Sequence, residues 1–497
     1  MMASSIQKNS LKPTNLSYIL TFATISLFSL IGCLNDKGNN NPIAESYYPD
    51  EVGQIILNKC ATAGCHNTQS KDAASGLDLS SWQTAFNGNN SGAVIIPYAP
   101  EHSTILNFTN TDSSQGIVQV PTMPINGTPL TTAEYQTLRT WIANGAPDKN
   151  GKVFFANATS KYYISNQGCD LVAICDPERQ VIARYIKVGI SEGNIELPHT
   201  IKLAPDSKHW YAVFYAGNVF QKFRTSDDSL VGTANITVGG WSSLVITDDS
   251  KTAFISDLIN HAIVQINLDN MQQVGPFYNI YQNAHGLAIN PITGWLYVTN
   301  QYSNYINRAL LSDLTSPECI PLFPGAPCAD INSYNPHEIL FTPDSSRYFL
   351  TCDFSNEIRV LSSHNDSLLA TIAVGSQPKE MSISNRHPYL FVTCGETLNY
   401  NIAYRGSVSV INYQTNQLVK EIKEAFFQPH GIAVNDDKDV VYVSSRNADP
   451  NGPAPHHVSQ CGGRNGFLSI IKMNTLTVDP NYKNELSVDP YSIFYKK

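Results

Sequence analysis

The chain is 497 residues long, more than one ordinary domain, and its length suggests two or three units. With 42% apolar and 15% charged residues it reads as neither disordered nor a polytopic membrane protein. A net charge of −9 argues against nucleic acid as a partner, because phosphate binding needs a basic face.

Residues 1–32 are set apart from the fold. Lys8 and Lys12 precede an apolar run from Leu16 to Ile31 that is short for a membrane span and ends in Leu30-Ile31-Gly32-Cys33. That pattern resembles a bacterial lipoprotein signal, and the resemblance implies cleavage before Cys33 and lipidation of its thiol, giving a membrane anchor. An ordinary secretion signal with a chance cysteine is the plainer alternative. Leu34, in place of an Asp, resembles lipoproteins exported onward to the outer membrane. Residues 33–45, rich in Asn and Gly, are expected to be a flexible tether. Export puts the remaining cysteines in an oxidising compartment, where Cys319 and Cys328 in one Pro-rich stretch are candidates for a disulfide. Cys352 and Cys394 fall inside apparent strands and read as core thiols.

A first unit spans residues 46–150. Its helical pattern opens at Asp50, a candidate N-cap, and runs through Val52, Ile55, Ile56 and Leu57 into Cys60-Ala61-Thr62-Ala63-Gly64-Cys65-His66. Two thiols followed at once by an imidazole suit haem, since the thiols add across its two vinyl groups and the imidazole reaches the iron from the same side. The spacing is wider than usual, four residues between the cysteines instead of two, and Gly64 lends the longer loop its freedom. A Cys60–Cys65 disulfide and a zinc site are the other readings, the latter short of a fourth ligand. Downstream, Gly76-Leu77-Asp78-Leu79 leads to Pro121-Thr122-Met123-Pro124, where a Met between prolines in a polar loop is poorly placed as core and well placed as a soft iron ligand. A closing helix has Thr131 and Glu134 as a capping box, Tyr135, Leu138, Trp141 and Ile142 on one face, and Asn144-Gly145 as its stop. In this order these motifs resemble the planctomycete-type cytochrome c domain. The resemblance implies one haem c, with Cys60 and Cys65 as thioether links, His66 as proximal ligand and Met123 as distal ligand. His102 is the alternative should Met123 fail.

After a linker at 151–160, residues 161–497 carry a repeat of roughly 40 to 60 residues, the range of propeller blades. Innermost strands begin at His199, Ser242, His285, His337, Lys379 and His430; aromatic-rich second strands include Tyr297-Val298-Thr299-Asn300 and Phe391-Val392-Thr393-Cys394. Residues 161–188 supply strands two to four but no first strand, and Pro490 to Phe494 reads as a lone first strand. The C-terminus is therefore expected to complete the blade begun at the N-terminus and close a ring of seven. The strands resemble the YVTN-type propeller repeat. The fold class expected is thus mixed: a small α-helical cytochrome c domain, then an all-β seven-bladed propeller, each with its own core.

His199, His285, His337 and His430, with Lys379, occupy one repeat position at the channel. A metal site there is one reading, and nitrous oxide reductase is a distant likeness. The other is a Pro-His-Gly turn that merely starts an inner strand, with Ser242, Lys379 and Tyr491 breaking the ring. Long stretches from Gln301 through Cys328, Gly395 to Arg405, and Asn447 to Asn465 with His456 and His457 read as loops on the histidine face. The cytochrome is expected at the opposite face or the rim. No nucleophile elbow or phosphate loop occurs. The expected function is electron transfer by an exported, lipid-anchored c-type cytochrome facing the periplasm or outer membrane, with a redox protein or small electron donor or acceptor docking on the propeller. The alternatives are a haem-dependent redox enzyme with a substrate or metal site in the channel, and a surface binding protein that has lost its haem.

Overall fold

In a computed structural model of the chain, the described residues are 45–329, 333–397, 403–423, 425–449, 452–453, 461, 464–480 and 484–497. Cys33, His456 and His457 lie outside them. The first unit contains α1 (Asp50–Lys59), α2 (Trp82–Ala85), α3 (Thr104–Thr109) and α4 (Thr132–Ala143). The two end helices carry readable amphipathic stripes; α2 and α3 are too short to show a period and form because packing holds them. Asp50 is the first helical residue after Pro49 rather than a cap, and Leu57 faces outward where the periodicity placed it inward. In α4, Thr131 Oγ1 accepts from Glu134 N–H at 3.2 Å while Thr131 N–H donates to the Glu134 carboxylate at 2.7 Å. The same carboxylate pairs with Lys59 at 2.7 Å and so ties the end of α1 to the start of α4. Around this frame Trp82, Leu138, Trp141 and Ile142 form the core.

Residues 161–497 form seven sheets of antiparallel strands. Blade 1 consists of Pro490–Lys496, Lys161–Asn166, Leu171–Asp176 and Val181–Lys187, so strands from both ends of the propeller sequence share one sheet. Tyr163 pairs with Phe494 and Ile164 with Ile493, and the rings of Tyr163 and Phe494 stack at 4.4 Å. Blades 2 to 6 each run consecutively through four strands. Blade 7 adds a short fifth strand, Asn484–Glu485, against Phe467–Lys472. The stretch after Gln301 is corrected: 301–304 is a tight turn, Cys319 lies in the fourth strand Asp313–Pro321, and the long segment follows that strand toward blade 5. It still emerges on the histidine face, because a fourth strand ends where the next first strand begins.

A side-chain device repeats at the centre. Pairing between first and second strand slips by a bulge at the inner-strand start in every blade. In six blades a second-strand hydroxyl, from Ser165, Ser256, Thr299, Thr351, Thr393 or Ser444, accepts the N–H that the bulge frees. Five of these hydroxyls also reach a carbonyl of the next blade: Ser165 to His199, Ser256 to His285, Thr299 to His337, Thr393 to His430 and Ser444 to Tyr491. Blade 2 has Val213 at this place, and Thr200 Oγ1 instead donates to Ser242 O at 2.6 Å.

The helical unit and the propeller do not have separate cores. Ala93, Ile96 and Ala99 pack with Tyr162, Ile182, Tyr442 and Leu468 in one buried cluster at the rim between blades 1 and 7. Arg464, buried, donates to the carbonyls of Ala93 at 2.9 Å and His102 at 2.7 Å. Gly92, at φ +107°, leaves no room for a Cβ beside the Asn484 side chain. The His102 ring packs on Tyr185 at 4.6 Å.

Two outcomes follow. Thr299→Val removes the acceptor of the buried Gly286 N–H while His337 O keeps its bond from His285, so we expect a loss of about 1–3 kcal/mol in thermal unfolding. Burial, and then the charge of Arg464, push the His102 pKa down to about 4. Its folded value lies below the ordinary one of about 6.5, so its contribution is complete above that pH and is lost as pH falls toward 4. His102→Phe, which cannot charge, should flatten the fall in melting temperature across that window; a parallel fall in both proteins would refute the assignment.

Candidate haem site and the histidine ring of the propeller

The chain leaves α1 with Cys60 N–H and Ala61 N–H both donating to Ile56 O at 2.9 Å. Gly64 turns at φ +81°, Cys65 N–H donates to Thr62 O at 3.0 Å, and His66 N–H closes the loop on Cys60 O at 3.1 Å. Both thiols and the imidazole therefore belong to one compact turn. Asn67 braces it by donating to Thr62 O at 2.7 Å and accepting from Ser70 N–H at 3.0 Å, and Ser70 Oγ donates to Cys65 O at 2.6 Å. Leu79 N–H, in the Gly76–Leu79 motif, donates to His66 O at 2.8 Å.

Cys60 is buried and Cys65 half-buried, and both are free thiols rather than a mutual disulfide; Cys319 and Cys328 are bonded to each other. Burial, reinforced by the neighbouring Cys65, pushes the Cys60 thiol up to about 11. Burial also lowers the pKa of His66, with the backbone of Ala74 and Leu77 pulling it partly back, a shift toward the neutral imidazole that binds iron. Its Nδ1 is buried without a hydrogen bond of ordinary geometry. Met123 is half-buried, its loop pinned where Met123 N–H donates to Phe108 O at 2.7 Å and Gln119 N–H to Asn107 O at 2.9 Å. The same loop leaves Val118, Val120 and Ile125 in water at 40%, 73% and 55% exposure. A polar loop that displays apolar side chains on both sides of a Met suits a large apolar prosthetic group. The donor set and this apolar margin fit haem. His102 is turned toward the propeller.

In the propeller the repeated histidines meet. Ring centroids run His199–His285 6.0 Å, His285–His337 4.2 Å and His337–His430 5.8 Å. Tyr491 closes the circle by stacking on His430 at 3.6 Å and lying 4.3 Å from His199; it joins the ring it was expected to break. Lys379 stands beside it, paired with Asp353 at 2.5 Å, and Arg446 is held by Asp489 at 2.6 Å. The four histidines are buried beneath the channel mouth, and desolvation lowers every one of their pKa values. Glu338 and Glu380, one residue beyond the ring positions, were not singled out from sequence. Burial raises the pKa of both, the neighbouring Glu338 charge raises that of Glu380 further, and Lys202 pulls each partly back. Aligning the inner strands would have shown them, since both follow a ring position directly.

The fold and site thus combine a small helical cytochrome c-type unit with a seven-bladed propeller. Residues 63–117 match the family of planctomycete cytochrome C. The match contains Cys65 and His66 and stops short of Cys60 and Met123. No curated protein matches the sequence. Among solved structures, a functionally unknown protein from Desulfotomaculum acetoxidans is similar at TM-score 0.51 and 14% identity, over 68% of this chain and 98% of that one. The dihydro-heme d1 dehydrogenase NirN, in complex with DHE, aligns at TM-score 0.47 and 10% identity over 89% and 98% of the two chains. Hydrazine synthase of Kuenenia stuttgartiensis aligns at TM-score 0.33 and 13% identity over 58% and 68%. The first likeness is one of fold.

If Met123 is the distal ligand, Met123→Ala should leave haem covalently attached, lower the reduction potential and admit cyanide or carbon monoxide to the iron. An unchanged potential and spectrum would assign that position to another residue.

Proposed function

We propose that this protein is an exported, lipid-anchored c-type cytochrome that transfers electrons through one covalently bound haem, with the propeller as the docking module for its redox partner. The observation that carries this is the compact turn in which Cys60, Cys65 and His66 follow α1, with both thiols free. Cys60 and Cys65 would hold the haem by thioether bonds, His66 would bind iron on one side and Met123 on the other. When bound, the haem supplies a one-electron ferric–ferrous couple. The protein's part is then to keep the imidazole neutral, shield the iron from water with the 117–125 loop, and hold the turn rigid through Asn67 and Ser70.

Anchoring through Cys33 rests on the Leu30-Ile31-Gly32-Cys33 pattern. No helix among the described residues is long and apolar enough to cross a membrane. Docking on the histidine face is favoured by topology: Tyr389–Glu396 ends and Ser407–Asn412 begins there, as do Val440–Ser445 and Phe467–Lys472, and the sequence between each pair is long. The helical unit packs at the rim of blades 1 and 7, where Arg464 of the second of these stretches meets it, so the partner would approach over the channel mouth.

The purified mature protein should show a sharp α band on reduction that survives acid-acetone extraction. Cys65→Ala should abolish haem staining on a denaturing gel while the propeller's far-ultraviolet spectrum persists, since Cys65 lies in the turn after α1 whereas Ala93, Ile96 and Ala99 make the packing against the propeller. Equal staining of wild type and variant would overturn the assignment.

A further inference from the structure

Buried imidazoles need partners, and in this ring several lack them. His199 Nε2, His337 Nδ1 and both nitrogens of His430 are buried without a hydrogen bond. Each orphaned nitrogen costs on the order of 1–3 kcal/mol, so four together are a poor design for a purely structural core. The neighbouring cations do not satisfy them: Lys379 is engaged by Asp353 and Arg446 by Asp489.

Within the ring one group is arranged for ligation. His285, His337 and Glu338 each present one donor atom, all within 4.8 Å of one another, and no other group of His, Cys, Asp and Glu among the described residues does so. His285 Nδ1 lies 3.0 Å from His337 O and donates to it, which fixes the tautomer and leaves the Nε2 lone pair free. A backbone carbonyl holding the far nitrogen of an imidazole is the usual support of a metal-binding histidine. Donors about 2.1 Å from a tetrahedral ion are about 3.4 Å apart, so the three atoms, now within 4.8 Å, would draw in by at most about 1.4 Å to hold one.

We propose that His285, His337 and Glu338 bind a divalent first-row transition cation on the propeller axis, with an open coordination position toward the channel. Two imidazoles with one carboxylate favour Zn2+, Cu2+ or Fe2+ over Mg2+ and Ca2+, which prefer all-oxygen shells. The open position would take a water or a small anionic or neutral ligand entering from the histidine face. The proposal is independent of the haem assignment.

The test uses the mature, haem-loaded full chain with Zn2+ as probe and Mg2+ as control. Elemental analysis after dialysis should find one Zn2+ per chain, calorimetry should give a single site, and Zn2+ but not Mg2+ should raise the melting temperature. Glu338→Gln, which keeps shape and burial, should weaken Zn2+ binding at least tenfold and remove the thermal shift. His337→Ala should abolish stoichiometric binding. An unchanged haem spectrum and a cooperative melt in Glu338→Gln report that the fold is intact. Absence of stoichiometric Zn2+ in the wild type, or wild-type affinity in folded Glu338→Gln, overturns the proposal.

Discussion

The inner-strand bulge, with the hydroxyl that holds it, is the constraint on which the propeller depends. A bulge frees a backbone N–H in the driest part of the molecule, and a buried unpaired donor is not tolerated without a partner. The second-strand Ser or Thr supplies that partner and, through its own proton, grips the next blade. In five blades one atom thus settles both where the inner strand begins and how the neighbouring blade is spaced. The ring histidines sit at these bulges, so their mutual approach is a consequence of the stitch. Blade 2, where Val213 replaces the hydroxyl, preserves the link by moving it to Thr200.

Closure in blade 1 is the second constraint. Because the inner strand of that blade comes from Pro490–Lys496, the ring cannot form until the C-terminus has been placed, and the stacked pair Tyr163 and Phe494 makes the joint apolar as well as hydrogen-bonded. The helical unit packs beside this joint rather than over the channel, with Arg464 reaching from blade 7 to the carbonyls of Ala93 and His102. A buried guanidinium that spends its donors on backbone carbonyls of another unit fixes orientation more than it adds affinity.

The candidate sites differ in how they are built. The Cys60-to-His66 turn is local: its geometry follows from seven consecutive residues, one glycine and a bracing Asn67. The histidine ring is assembled from residues of separate blades, and its low-basicity imidazoles arise from burial that no single segment provides. That is why the first was named with its roles from sequence, whereas the second was seen only as a recurring position.

By itself the sequence determined what depends on near neighbours: α1 and α4 from their stripes, the capping box at Thr131 and Glu134, the thiol–thiol–imidazole turn, the repeat, and the lone first strand at Pro490. Periodicity and motif spacing are properties of adjacent residues, and they survive without knowledge of the fold. The tertiary structure alone decided that Leu57 faces outward, that α2 and α3 form, that the two units share a core through Ala93 and Ile96, that Tyr491 completes the ring, and that Glu338 joins His285 and His337. Each of these depends on surfaces brought together by blade closure from residues far apart in the chain. Burial and contact of that kind are set by the whole assembly, so they leave no local pattern to read.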